Sequence, residues 1–197
     1  MSEGFGMRNQ EKITHRELCM AVAKRYNKKI ALYEYKSFAY NEEPDVLVLD
    51  HGESFLFEIK ISRSDFRRDQ YKDCRKKYRV PHWAYHLPIK NALDGKMYQD
   101  KITIETTKGH IQINLLEKEH LGNYRYFVCP DGIIPIEEVP EGWGLLYYKH
   151  GKFYRKKESG KFRSNLRAEN NLIIHALRRY ASGDSTGILV NTYGGDK

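Results

Sequence analysis

Cysteine is scarce in this chain, and its cysteines are unpaired in pattern. Cys19, Cys74 and Cys129 are odd in number, far apart and without the double spacing of a zinc site, so they read as reduced thiols in or near a core. No apolar run approaches the ~20 residues needed to cross a bilayer. Met1-Ser2-Glu3-Gly4 opens no apolar signal region, and the expectation is a cytoplasmic protein with no membrane partner. Internal repeats, heptads, low-complexity tracts and glycine-rich nucleotide loops are all missing, which sets aside solenoid, coiled-coil and nucleotide-loop readings. No nucleophile-base pair shows in the sequence, so covalent catalysis by cysteine or histidine has no positive support.

Acidic groups are also in deficit. Against 26 Asp and Glu stand 34 Lys and Arg, a formal charge of +8. An excess of this sign favours a polyanionic partner. The 15 tyrosines, several beside basic residues, suit base or sugar stacking and equally suit half-buried strands. A length of 197 residues is enough for one sizeable core and short for two.

Chemistry concentrates in one stretch. Pro44-Asp45-Val46-Leu47-Val48-Leu49-Asp50 and Phe55-Leu56-Phe57-Glu58-Ile59-Lys60-Ile61 are short apolar runs, and the connection between them contains Gly52, the signature of a β-hairpin. A turn over 51–54 would set Asp45 roughly opposite Lys60. Strand alternation would then put Glu58 and Lys60 on the same face, next to Asp45. Charges on so apolar a ribbon need a partner. Two carboxylates with the Ile59 carbonyl between them offer the hard oxygens that Mg²⁺ prefers, with Mn²⁺ as a substitute. The lysine can orient water or offset charge growing on phosphorus. The alternative is structural: Asp45 capping a strand end, Glu58 and Lys60 on an exposed edge.

Pro44-Asp45 followed by Glu58-Ile59-Lys60 resembles the signature of the PD-(D/E)XK nuclease superfamily. The run Ile59 to Asp69 is similar to the lysine-strand-to-helix passage of MmcB-like DNA-repair and phage-encoded members, which carry a comparable Asp-Phe and a second Asp one turn later. Those members have a basic residue directly after that second Asp; here Gln70-Tyr71-Lys72 follows, so no role passes to Lys72 from the resemblance. The resemblance implies an α/β fold, a restriction-endonuclease-like mixed β-sheet core flanked by helices. It implies a metal held by Asp45, Glu58 and Ile59, with Lys60 assisting. Many members also place a first-helix glutamate near the metal, which makes Glu17 a candidate ligand, although a capping box alone explains a Glu there.

Along the chain, residues 1–13 read as a flexible arm and 14–183 as one nuclease-like domain. Thr14-His15-Arg16-Glu17 predicts a helix to about Tyr26, with Leu18, Ala21, Val22 and Tyr26 on one face. Ile30 to Tyr35 predicts a strand. Ser62 or Ser64 caps a helix expected to reach about Tyr78, since Pro81 disfavours helical geometry at Val80. On that helix Arg68, Lys72, Arg75 and Arg79 recur at helical spacing, a candidate phosphate-tracking row or a plain solvated face.

Residues 81–122 read as an insertion, with a second hairpin around Thr107-Lys108-Gly109. His82, Trp83 and His86 are groove candidates there, though such residues more often pack. Asn123 to Cys129 resembles the family strand that joins the sheet beside the lysine strand, and Gly144-Leu145-Leu146 the later strand entry. Lys149, Lys152 and Arg155 interleave with aromatics in a ribbon suited to DNA, or in a surface hairpin with a basic tip. Leu166, Asn170, Ile173, Leu177 and Tyr180 trace the apolar-leaning face of a last helix stopped at Ser182-Gly183, and 184–197 reads as a mobile tail.

The expected activity is Mg²⁺-dependent hydrolysis of phosphodiester bonds in DNA, in repair, recombination or phage DNA metabolism, with a homodimer allowed. A catalytically inactive nucleic-acid-binding module of the same fold is the rival reading.

Overall fold

The structure is a computed structural model that describes residues 13–26, 29–36, 42–69, 72, 78–79, 101–106, 109–114, 116–117 and 119–190. The groove candidates His82, Trp83 and His86 and the basic Arg75 lie outside these residues.

Helix α1 (His15–Arg25) starts where the sequence says it should, because Thr14 and Glu17 close a reciprocal capping box. It is followed by β1 (Ile30–Tyr33) and then by the central hairpin, β2 (Val46–Asp50) and β3 (Glu53–Ile59). Helix α2 (Arg63–Asp69) leads to β4 (Tyr78–Arg79), β5 (Lys101–Thr106), β6 (Gly109–Asn114) and β7 (Leu116–Glu117). Next come β8 (Tyr124–Pro130), β9 (Gly144–Lys149), β10 (Lys152–Lys157), α3 (Leu166–Ala181) and β11 (Ile188–Val190).

Seven strands form one mixed sheet in the order β10-β9-β8-β3-β2-β1-β11. The β3–β8 and β8–β9 pairs are parallel and the rest antiparallel, so the hairpin sits at the middle of the sheet. One face, with Val46, Val48, Phe57, Ile59 and Val128, packs on Leu18, Cys19 and Val22 of α1. The other, with Leu47, Leu56, Phe127 and Leu145, packs on Phe66, Trp143, Ala168 and Leu172. Strands covered on both faces read as continuous apolar runs, which is why the hairpin was legible. The hairpin β5–β6 lies where the alternation predicts, as a separate two-stranded sheet.

Four expectations need correction. The central turn holds two residues, His51 and Gly52, both at positive φ (43° and 86°). Such a turn matches the right-handed twist of the arms. Asp50 therefore pairs with Glu53 and Val46 with Phe57, so Asp45, one step further, lies across from Glu58 rather than Lys60. A shift of two residues keeps every side chain on its face.

The second helix stops at Asp69, and Tyr78–Arg79 is a strand paired with β7, so Arg79 does not continue a helical row from Arg68. On α3 the buried positions are Ala168, Glu169, Leu172 and Ala176, while Leu166 and Leu177 are 62% and 58% exposed. Leu172 and the two alanines reach the core, and Ile173, Leu177 and Tyr180 line an open apolar cavity with Ile30, Leu32 and Ile188. Finally, part of the presumed tail is structural: Ile188–Val190 forms the edge strand on β1.

Candidate active site

At the carboxyl end of β3 the chain runs out of apolar residues while still inside the sheet. The Lys60 N–H donates to the Val128 carbonyl at 2.9 Å, continuing the parallel pairing one residue beyond β3. That bond fixes the Lys60 backbone, and alternation aims Glu58 and Lys60 at the face that carries Leu56 and α2. Both are almost fully buried, at 1% and 2% exposure. At the start of β2, Asp45 bridges the two arms: its Oδ2 accepts the Ile59 N–H at 2.7 Å, and its carbonyl accepts the Glu34 N–H at 2.8 Å.

Helix α2 contributes the group that closes the site. The Ser62 hydroxyl accepts the Asp65 N–H, making Ser62 the cap. Phe66 enters the core, and Asp69, three residues later on the same helix face, is buried beside it. Lys60 Nζ stands 3.1 Å from Glu58 Oε2 and 2.9 Å from Asp69 Oδ1. Lys72, half exposed, reaches the same two oxygens at 3.6 Å and 2.9 Å. A buried ammonium is thus caged by carboxylates from a strand and a helix, with a second ammonium at the lip.

The electrostatics follow. Burial pulls the Lys60 ammonium down, but Glu58, Asp69 and Asp45 together outweigh it and leave its pKa above the ordinary lysine value. Burial pushes Asp45 up, but His15, Lys60 and the Ile59 amide outweigh that and hold it below the usual aspartate range. Glu58 and Asp69 balance Lys60 and Lys72 within the cage, and Asp45 acts on Lys60 from the adjoining arm.

His15 is the group that sequence reasoning missed on α1. Glu17, the expected first-helix carboxylate, is exposed and turned to its own cap: Oε2 accepts the Thr14 N–H at 2.8 Å and the Thr14 hydroxyl at 2.7 Å. It is His15 that reaches Asp45, Nε2 to Oδ1 at 3.4 Å, and that contact raises its pKa to about 10. Asp69 was noted only as part of a resemblance, and its signal was its spacing from Phe66. Nothing local in the sequence foretold Lys72 at Glu58, since the helix that would have carried it ends sooner.

Cys19, His15 and Asp45 have the connectivity of a thiol relay, with Cys19 Sγ 3.6 Å from His15 Nδ1. The thiol is fully buried, and burial pushes its pKa up. A nucleophilic thiolate requires the opposite.

By donor chemistry, the carboxylates of Asp45, Glu58 and Asp69 and the Ile59 carbonyl are hard oxygens of the kind a divalent cation takes, but the three carboxylates are not gathered within 4.8 Å of one another, as the ligand atoms of His15, Cys19 and Glu34 are. Among the basic residues expected on a surface, Arg68, Lys149, Lys152 and Arg155 are exposed. Lys149 is paired with Asp131 at 2.8 Å and Arg155 with Glu158 at 2.7 Å, so part of the ribbon's charge is neutralised internally.

No protein-family model and no curated protein matches the chain. Among solved structures, a protein of unknown function from Silicibacter pomeroyi is similar over 98% of this chain and 100% of its own, with 16% identity and a TM-score of 0.47. Among the described residues no helix is long and apolar enough to cross a membrane.

Proposed function

We propose that the chain is a Mg²⁺-dependent nuclease of the restriction-endonuclease-like kind, hydrolysing phosphodiester bonds in DNA, and that it works in the cytoplasm on DNA in repair, recombination or phage metabolism. The observation that carries the reading is the Lys60 ammonium, buried between Glu58 and Asp69 at the end of the central parallel pair, with Asp45 on the adjoining arm. A purely structural charge at this position would be costly, because apolar residues of similar volume are often as stable or more so. The order of strands supports the reading too: the lysine strand lies between an antiparallel partner and a parallel one.

In this reading Asp45 and Glu58, with the Ile59 carbonyl, hold the cation, and Asp69 joins them or holds Lys60 in place. The cation supplies Lewis-acid polarisation of the phosphate and lowers the pKa of bound water. Lys60, kept protonated by its carboxylates, donates to the water or to the phosphate oxygens as charge accumulates there. His15 holds Asp45 in its ionised form. Lys72, at the lip, is placed to meet an incoming phosphate, with Arg68 and Lys152 as further phosphate contacts.

The test is cleavage of circular and linear, single- and double-stranded DNA with Mg²⁺ or Mn²⁺. Asp45→Ala and Lys60→Ala are each expected to lower the rate by at least about 10²-fold, the loss typical of removing one group that stabilises transition-state charge. Either variant cleaving at the parental rate, with its fold intact by circular dichroism, removes these roles. Binding of DNA without uptake of Mg²⁺ or Mn²⁺ in a calorimetric titration would favour the inactive binding module instead.

A further inference from the structure

A second cluster of ligand atoms lies beside Asp45, on the α1 side of the sheet. His15 and Cys19 are four residues apart and share a face of α1. Glu34 follows β1 in a left-handed conformation, φ 46°, and its amide is held by the Asp45 carbonyl. His15 Nδ1 is 3.6 Å from Cys19 Sγ and 3.5 Å from Glu34 Oε1, and the three ligand atoms all lie within 4.8 Å of one another. The other Glu34 oxygen faces Arg16 Nε at 3.8 Å.

The two separations from His15 Nδ1 can be compared with those of a tetrahedral metal site. With bonds of about 2.0 Å to nitrogen and oxygen and about 2.3 Å to sulfur, a tetrahedral ion spaces its nitrogen and sulfur ligands about 3.5 Å apart, and nitrogen and oxygen about 3.3 Å. The two pairs that involve His15 already stand there to within a few tenths of an ångström. Nε2 of the same ring faces Asp45 Oδ1 at 3.4 Å, so Nδ1 can ligate while Nε2–H donates to a carboxylate, the arrangement that orients metal-bound imidazoles.

We propose that His15 Nδ1, Cys19 Sγ and Glu34 Oε1 form a Zn²⁺ site with one open position, tying α1 to the end of β1, and that Asp45 is its positioning residue. The ligand set is nitrogen, sulfur and oxygen, which selects a borderline ion and rejects Mg²⁺. One thiolate and one carboxylate neutralise the two charges of the ion. Binding displaces the proton of the Cys19 thiol, and one from the His15 imidazolium, to solvent; no redox change occurs. The buried thiol forms the floor, while the imidazole and the carboxylate, each about a third exposed, form the rim through which an ion enters. The site shares Asp45 with the proposed Mg²⁺ site, and its test therefore reads the thiolate band, which a site of oxygen ligands cannot give.

The test is a titration of the full chain, freed of metal with a chelator, with Co²⁺ as probe. The expected result is one equivalent bound through thiolate, with the near-ultraviolet thiolate-to-cobalt band and the visible bands of a tetrahedral ion, displaced by Zn²⁺ but not by millimolar Mg²⁺. Cys19→Ser abolishes the thiolate band. Glu34→Gln, at an exposed position that leaves the fold alone, weakens binding more than about tenfold, and Asp45→Asn weakens it about tenfold. Absence of the thiolate band in the intact chain overturns the proposal and leaves His15 as an imidazolium neutralising Glu34 and Asp45. A band that survives Cys19→Ser overturns it too, by assigning the sulfur to another cysteine.

Discussion

Lys60 Nζ and Asp69 Oδ1 stand 2.9 Å apart with both side chains about 2–3% exposed, one from the end of the central strand and one from the end of the following helix. This contact ties α2 to the sheet. Removing the carboxylate leaves the ammonium buried with Glu58 as its remaining close acid, and losing one member of a buried pair typically costs about 3–5 kcal/mol. Asp69→Ala is therefore expected to lower the unfolding free energy by roughly 3 kcal/mol, read as a shift in the urea midpoint at constant m-value. Asp69→Asn, which keeps the volume and one acceptor, is expected to cost less. Equal stability of Asp69→Ala and the parent would show that Lys60 finds its compensation elsewhere.

Lys152 lies in the β9–β10 turn region on a ribbon whose neighbours Lys149 and Arg155 are held by Asp131 and Glu158. If the ribbon contacts DNA, Lys152→Ala should weaken binding to all sequences alike. The slope of log K against log salt should shrink by about 0.9 for one lost phosphate contact on a duplex. Lys149→Ala should matter less, because its ammonium must first leave Asp131. An unchanged slope for Lys152→Ala would put the DNA on another surface.

The sheet was legible because its strands are short, branched and apolar, and the capping box marked α1 to the residue. The hairpin register was not, because a count of four turn residues and a count of two are both compatible with His51-Gly52-Glu53-Ser54; the positive φ values of His51 and Gly52 decide it. Asp45, Glu58 and Lys60 could be named from spacing alone, since all three ride on one hairpin. Asp69 and His15 come from helices on opposite faces, and their meeting with the triad depends on packing that no local pattern encodes. On α3 a search for large apolar residues finds Leu166 and Leu177, which are more than half exposed, and passes over Ala168 and Ala176, which reach the core but carry little hydrophobic signal in a sequence.

Gly122 shows how tightly the parallel pair is set. At φ +82°, a Cβ on this residue would stand 2.6 Å from Leu56 Cβ and 3.1 Å from the Leu56 amide nitrogen, and its own N–H donates to the buried Glu169 carboxylate at 2.9 Å. Gly122→Ala combines a left-handed alanine with a backbone clash, and strain of this kind costs on the order of 1–3 kcal/mol. The expected outcome is a thermal midpoint lowered by several degrees for a chain of this size. Gly52→Ala, where nothing lies within 4 Å, keeps the conformational penalty without the clash and is expected to cost less.

The edge strand β11 is held by a charge that acid should release. Asp184 accepts the Thr186 N–H at 3.0 Å and the Arg179 Nε–H at 2.8 Å, joining the end of α3 to the turn before β11. The Thr186 amide and the Arg179 guanidinium hold its carboxyl at a pKa of about 2, below the ordinary aspartate range. A depressed carboxylate stabilises the fold fully above its unfolded pKa, and the contribution is lost as pH falls through the folded one. Amide hydrogen exchange at Leu189, the β11 residue whose N–H faces β1, corrected for intrinsic rates, should therefore hold steady down to about pH 4 and lose protection between about pH 4 and pH 2. Asp184→Asn should show the weaker protection at every pH. Protection in the parent that stays flat down to pH 2 would mean that β11 is kept in place by its pairing with β1 alone.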